Sequence, residues 1–273
     1  MSKDFFKKLS DQEKEIICNK GTEEPFTGKY NLHFDAGVFV CKACESPLYE
    51  SNSKFDSGCG WPSFDDEIPN AIVRYEDNSL NRKRVEICCA NCGGHLGHVF
   101  HGEKITKKDT RHCVNSLSIK FVPYNNLNEI FVGYHSFWKT QEIFHNKPGI
   151  YMTQAGYIKS NDIDRSNIIL DEMLENLEVL QLFFDEKIIS LNEILDHVFE
   201  LHEANLDSEL VDSDISHDLF CFFTTKDQKV SLEQKKSMYS LSRDVNINIW
   251  ILPQKKFYRA DEFHQNYFEK KTL

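Results

Sequence analysis

The chain is poor in the features that mark several classes of protein. Seven prolines in 273 residues, with 40% hydrophobic and 27% charged residues and no repeat or low-complexity segment, leave an ordinary globular composition. No apolar run approaches the roughly 20 residues of a membrane helix. The opening stretch MSKDFFKKLSDQEKEIIC is charged throughout, unlike a secretory leader. The expected location is the cytoplasm, with no membrane partner. Positive charge is also short: 32 Lys+Arg face 43 Asp+Glu, a formal net charge of −11. Residues 1–120 are near balance at −1, and residues 121–273 carry −10. Neither half offers the basic surface that phosphate-backbone binding needs, so no nucleic-acid partner is expected.

What the chain does have is sulfur, unevenly placed. Eight of its nine cysteines precede residue 114. An extracellular disulfide scaffold would be shorter, with cysteines spread along it. Four of the eight form two tight pairs, Cys41-Lys-Ala-Cys44 and Cys89-Ala-Asn-Cys92. Each Cys-x-x-Cys turn sets two sulfurs on one side of a loop, and two such turns complete a tetrahedral S4 cage suited to one structural Zn2+. Iron in the same cage is the chemical alternative. One such turn alone is also a redox motif; two in a β-rich segment point to metal. Cys88 is a bystander, because the x-x spacing to Cys92 starts at Cys89.

Cys59, in SGCGWPSF, and Cys113, in TRHCVNS, have no place in that cage. Arg111 stands two residues before Cys113 and Asn115 two after. A guanidinium nearby favours the thiolate, which is the attacking form. His95 and His98, in GGHLGHVF, could move a proton near neutral pH. Each residue alone has a plainer reading: a lone cysteine is usually a small buried hydrophobe, and His-x-x-His could be metal ligands or core. The glycine-flanked Cys59 loop adds a mobile second sulfur, which an oxidised nucleophile needs to be reset through a disulfide.

The length suggests two domains. Ser10-Asp-Gln-Glu13 reads as a capping box. From residue 21 to 121, short β-branched runs (Gly37 to Val40, Ala71 to Tyr75, Arg84 to Ile87, Leu117 to Phe121) alternate with turn clusters, which predicts a small antiparallel β domain. Pro123-Tyr-Asn-Asn-Leu-Asn marks a linker, giving domains at 1–123 and 124–273. Beyond it the texture is α/β: helices over 137–147 and 191–201, strands over 176–184, 219–223 and 247–252.

The segments GTEEPFTGKY, CKAC, KFDSGCGWPSF, RVEICCANC, HLGHVF and TRHCVNSLSIKF together resemble the B-type peptide-methionine sulfoxide reductases, in order and across about a hundred residues. That resemblance implies a twisted antiparallel β fold and reduction of protein-bound methionine-R-sulfoxide, a damage-repair activity. It implies Cys113 as nucleophile, Cys59 as the thiol that resolves its sulfenic acid, and thioredoxin as reductant. It also implies Trp61 against the substrate methyl group, His95, His98 and Asn115 around the sulfoxide oxygen, Arg111 supporting the thiolate, and zinc on Cys41, Cys44, Cys89 and Cys92. One departure stands out: the family's HVF-x-D-G becomes His98-Val-Phe-His-Gly102, without the Asp.

The second half resembles the A-type methionine sulfoxide reductases, with an α+β plait, through Gly133-Tyr-His-Ser-Phe-Trp138, Ala-Gly-Tyr157, the stretch from Ile189 to His202 and that from Phe257 to Tyr267. The family nucleophile position holds Ser136, which cannot run a sulfenic acid and disulfide cycle. The family's D-x-G-x-Q-Y-R becomes Asp214-Ile-Ser-His-Asp-Leu-Phe220. Phe137, Trp138, Tyr157, Glu178 and Asp214 would line a degenerate site without S-epimer activity. Two other readings stay open: a zinc-stabilised module that binds oxidised proteins without turnover, and a peroxide sensor using the same two thiols.

Overall fold

The structure, a computed structural model, describes residues 5–79, 83–133, 136–145, 147–163, 176–206, 218–241 and 249–271. The chain divides into two units, one ending at Asn126 and the other beginning at Leu127.

In the first unit the capping box forms. Ser10 Oγ accepts from the Glu13 N–H at 3.3 Å, and the Ser10 N–H donates to Glu13 Oε2 at 2.8 Å, opening helix α1 (Asp11–Ile17) with Ile16 and Ile17 buried. Nine strands follow: β1 (Gly37–Cys41), β2 (Pro47–Glu50), β3 (Lys54–Phe55), β4 (Ser63–Phe64), β5 (Ile72–Asp77), β6 (Arg84–Cys89), β7 (His95–His101), β8 (Thr110–Val114) and β9 (Ile119–Pro123). They make a three-stranded sheet, β2-β1-β9, and a six-stranded sheet, β3-β4-β8-β7-β6-β5, antiparallel throughout. One core joins both sheets: Phe39 of β1, Phe64 of β4, Ile87 of β6, Leu96 of β7 and Ile119 of β9 all belong to it. Tyr49 and Phe64 stack at 4.2 Å.

The run expected as a strand from Leu117 starts only at Ile119. Ser116–Ser118 forms a 3-10 turn instead, because the buried Glu23 carboxylate accepts the Ser116 N–H at 2.6 Å and the Leu117 N–H at 3.1 Å. A carboxylate 93 residues away outweighs local strand propensity.

The second unit is one mixed sheet with helices. Its strands are β10 (Asn128–Gly133), β11 (Ile150–Lys159), β12 (Asn176–Phe184), β13 (Leu219–Phe223), β14 (Ile249–Pro253) and β15 (Phe257–Arg259), in the order β14-β13-β10-β12-β11-β15. The β13–β14 pair is parallel and the others antiparallel. The helices are α2 (Phe137–Phe144), α3 (Leu191–Leu206), α4 (Lys226–Leu241) and α5 (Tyr267–Lys271). Along β12 the alternation is strict: Leu180 and Leu182 join the core with Ile194, Leu195 and Val198 of α3, while Leu177 and Val179 join Phe131 and Phe222 in another cluster. Helix α2 stops at Phe144, short of the expected Lys147, and α3 runs on to Leu206. No helix among the described residues is long and apolar enough to cross a membrane.

Candidate active site and metal centre

The two Cys-x-x-Cys turns adopt the same local geometry. In the first, Glu45, at φ +62°, donates its N–H to Cys41 O at 2.9 Å; in the second, Gly93, at φ +74°, donates to Cys89 O at 2.8 Å. Each turn thereby curls both sulfurs inward. Cys41 and Cys92 come to 3.6 Å, and Cys44 and Cys89 to 3.5 Å, with all four Sγ atoms within 4.8 Å of one another. Four ligands at about 2.3 Å in a tetrahedron stand about 3.8 Å apart, so the cage fits an ion of that size. The hydrogen bond that Cys41 and Cys44 share pushes the former up and the latter down. A divalent cation would replace those protons. The four residues could therefore bind a metal.

Cys113 sits on central strand β8, opposite Ser63 of β4 and His98 of β7. Cys59 lies in the loop before β4, between Gly58 (φ +68°) and Gly60 (φ +95°). The Gly58 side is open, whereas a Cβ on Gly60 would meet Pro25 Cβ at 2.7 Å. The loop is anchored behind the cysteine, where Gly60 O accepts the Phe26 N–H at 2.7 Å, and ahead of it the Gly58 N–H donates to Asp56 Oδ1 at 2.9 Å. The two sulfurs are 3.8 Å apart. A disulfide needs about 2.0 Å, a closure of roughly 1.8 Å that a short loop movement supplies.

The two thiols shift each other in opposite directions. The hydrogen bond shared with Cys113 lowers Cys59 to about 4 against the opposing effect of burial, with Ser57 also donating at 3.0 Å. Cys113 is pushed well up by that same bond and by burial; Arg111 pulls it down but is outweighed. Arg111 is itself engaged, its Nε and Nη2 reaching Glu103 at 2.7 and 2.8 Å and its guanidinium lying 4.5 Å from the Phe100 ring. A carboxylate thus reaches this arginine from Glu103, just past the segment in which the family's Asp is missing.

In front of Cys113 is a cavity of about 120 Å³ lined by Thr22, Trp61, Arg84, Gly97, His98, Phe100, Cys113 and Asn115. Trp61 is fixed by its Nε1–H to Glu23 O at 3.0 Å. Asn115 is occupied structurally: its Oδ1 accepts from the Glu23 N–H and its Nδ2 donates to Leu96 O, both at 3.1 Å.

Two histidines three apart on a strand should face opposite ways. A one-residue β-bulge in β7, where Ile87 pairs with Gly97 but Cys88 with His95, puts both rings on one face. Their centroids are 5.6 Å apart, yet only His98 lines the cavity. His95 is 2% exposed, bonded through Nδ1 to Glu86 at 2.7 Å, and burial lowers its pKa. Cys88 lies with Glu86 and His95, and burial pushes it up to about 12. Sequence reading did not single out Glu23, Asp77, Arg84 or Glu103; GTEEPF carried the one signal, for Glu23.

In the second unit, Ser136 stands at the N-cap position of α2 without a side-chain capping bond. The Phe137 N–H donates to Glu178 Oε2 at 3.1 Å, and Glu178 pairs with Tyr157 across β12 and β11. Phe137 packs edge-on against Tyr157 at 5.5 Å, and Trp138 stacks on Tyr267 at 4.1 Å. Burial raises Glu178. Ser136, Phe137, Trp138, Tyr157 and Glu178 thus come from elements that meet at the start of α2. Asp214 lies outside the described residues.

Comparison with known proteins accounts for both units. Residues 9–123 match the SelR domain, and residues 128–273 match the peptide methionine sulfoxide reductase family. The first unit is 56% identical over 118 residues to peptide methionine sulfoxide reductase B2, chloroplastic, of Arabidopsis thaliana, covering 43% of this chain and 57% of that protein. It is 56% identical over 116 residues to peptide methionine sulfoxide reductase B5 of Oryza sativa subsp. japonica, covering 42% of this chain and 84% of the relative. Over 110 residues it is 54% identical to peptide methionine sulfoxide reductase 2 of Saccharomyces cerevisiae, 38% of this chain and 66% of that one. Among solved structures, reduced Mxr1 from Saccharomyces cerevisiae aligns at 22% identity and TM-score 0.43, over 54% of this chain and 87% of its own. The chain belongs to the peptide methionine sulfoxide reductases, carrying a SelR domain followed by a domain of the second family.

Proposed function

We propose that the first unit reduces peptide methionine-R-sulfoxide to methionine with thioredoxin as the reductant. The observation that carries this reading is the Cys59–Cys113 pair, with sulfurs 3.8 Å apart and Cys113 opening on a cavity walled by Trp61 and His98. The Cys113 thiolate attacks the sulfoxide sulfur. Oxygen passes to Cys113 with one proton, leaving the thioether and a sulfenic acid. The Cys59 thiol then displaces water to form the Cys59–Cys113 disulfide, and a dithiol such as thioredoxin exchanges with it to restore both thiols. For attack, the proton shared between the two sulfurs must rest on Cys59, leaving the thiolate on Cys113. Trp61 holds the methyl end of the substrate. Arg111 supports the thiolate once it stands on Cys113.

Zinc on Cys41, Cys44, Cys89 and Cys92 would have a structural role, since four thiolates leave no open coordination position. The second unit is inactive on the S epimer, because the Ser136 hydroxyl cannot form the sulfenic acid and disulfide. Cytoplasmic action is the simplest setting for a thioredoxin-reduced thiol pair.

The test is turnover of separate R and S epimers of a peptide methionine sulfoxide with thioredoxin and its reductase, for the full chain and for Cys113→Ser. Consumption of the R epimer alone, abolished by the substitution, is expected. Turnover of the S epimer would refute the inactivity of the second unit. Peroxide-driven disulfide formation without sulfoxide turnover would favour a sensor.

A further inference from the structure

Two carboxylate–histidine pairs lie side by side on β5, β6 and β7, and they differ in one respect. Glu86 accepts from His95 Nδ1 at 2.7 Å and is held by Lys20 Nζ at 2.7 Å, but His95 is buried behind the cavity wall. Asp77 Oδ2 accepts from His98 Nε2 at 2.8 Å, and His98 lines the cavity with Cys113. Asp77 and Arg84 are direct cross-strand partners at the ends of β5 and β6. Arg84 Nη2 donates to Asp77 Oδ2 at 2.7 Å and to Ser79 Oγ at 3.2 Å. The Ser79 N–H closes on the other oxygen, Asp77 Oδ1, at 2.9 Å. The carboxylate is therefore clamped on both oxygens, and its side chain is 16% exposed.

We infer that Asp77, clamped by Arg84 and Ser79, is the positioning residue of the proton donor, fixing His98 through Nε2 so that Nδ1 serves the substrate oxygen. The inference rests on the proposed sulfoxide reduction and adds a residue to it. A carboxylate so fully supplied with donors stays ionised and can only accept, so the Nε2 atom of His98 must carry a hydrogen. Ser79 and His98, in that order, hold Asp77 well below the usual carboxylate range. Nδ1 of His98 is then the ring atom left for the cavity.

The Cys113 thiolate gives two electrons to the substrate sulfur, the sulfur–oxygen bond breaks, and oxygen becomes bonded to the Cys113 sulfur. One proton passes from Nδ1 of protonated His98 to that oxygen. His98 is left neutral with its hydrogen on Nε2, still bonded to Asp77, and takes a proton back from water. Asp77 thus matches the ring both before and after transfer. Positioned acids contribute roughly 10²–10⁴ in rate, and misaligning one forfeits part of that.

The experiment uses the full chain with Asp77→Asn and Asp77→Glu, the R-sulfoxide peptide, and iodoacetamide as a probe of the Cys113 thiolate. Asp77→Asn should lower kcat by about 10- to 100-fold, with KM and the alkylation rate of Cys113 within about threefold, and Asp77→Glu should restore part of kcat. Nitrogen-15 NMR of His98 gives a readout that needs no turnover: the neutral ring should carry its hydrogen on Nε2 in the wild type and lose that preference in Asp77→Asn. Unchanged kcat in Asp77→Asn overturns the inference. So does an equal fall in kcat and alkylation, which would place the effect on the thiolate or the fold. If the wild type reduces no sulfoxide, the proposed function fails. The tautomer result then still decides the Asp77–His98 geometry.

Discussion

Gly97→Ala places one methyl group where β7 and β8 run closest. A Cβ at this position would lie 2.0 Å from Cys113 O, 3.0 Å from Cys113 C and 3.2 Å from Val114 Cα, whereas ordinary contact starts at 3.4 Å. The atom it meets is backbone, which cannot rotate away, so the strands must part by about 1.4 Å at that point. Overpacking of this kind costs about 1–3 kcal/mol, and at roughly 4 °C per kcal/mol for a unit of this size the melting point should fall by roughly 4–12 °C. The larger effect is on chemistry. The displaced residue is Cys113 itself, and an ångström of misplacement costs on the order of 10²-fold in rate. The assay is kcat/KM on the R-sulfoxide peptide, read beside thermal unfolding of the first unit. Gly102→Ala is the control: it also has positive φ, +85°, but nothing within 4 Å of the new Cβ. It should cost only about 1–2 kcal/mol of backbone strain and leave kcat/KM within about twofold. Wild-type melting and kcat/KM in Gly97→Ala would refute the reasoning.

Cys44→Ser, or a strong chelator, should abolish metal binding by the four-cysteine cage and unfold the first unit, read by metal analysis and circular dichroism; an unchanged melting point would mean the cage is dispensable. Glu67 is held down to about 2, where burial opposes ionisation but His112 and Arg74 more than offset it. Its contribution is therefore complete above the unfolded value near 4.5 and lost as pH falls through about 2. Glu67→Gln should flatten the acid limb of stability by up to roughly 3 kcal/mol; an acid limb identical to the wild type would refute this. In Cys59→Ser the bond that raises Cys113 is gone and Arg111 remains, so alkylation of Cys113 should set in at lower pH than in the wild type. Restoring a thiol with Ser136→Cys should give no S-epimer turnover, and full turnover would show that the rest of that site is intact.

Much of this protein is written locally. The two knuckles are legible because a Cys-x-x-Cys turn sets its own geometry within six residues. The capping box at Ser10 and the strands Asn176–Phe184 and Leu219–Phe223 follow from short-range periodicity. Helix α4 was not legible: it is largely polar, with Leu232 as its buried apolar anchor, so its place is set by packing on β13 and β14.

The chemistry-bearing residues divide the same way. Cys113, Cys59, Trp61 and the histidines stand out by type and motif. What tertiary structure alone decided is their division of labour. The bulge at Leu96 turns His95 and His98 to one face, and the cavity then admits one and buries the other. Asp77 and Arg84 meet only because β5 and β6 pair in one register, and Glu23 reaches Ser116 across 93 positions of sequence. Spacing in sequence reports which side chains share a turn or a strand face. Register, bulges and long-range hydrogen bonds decide which of them share a proton.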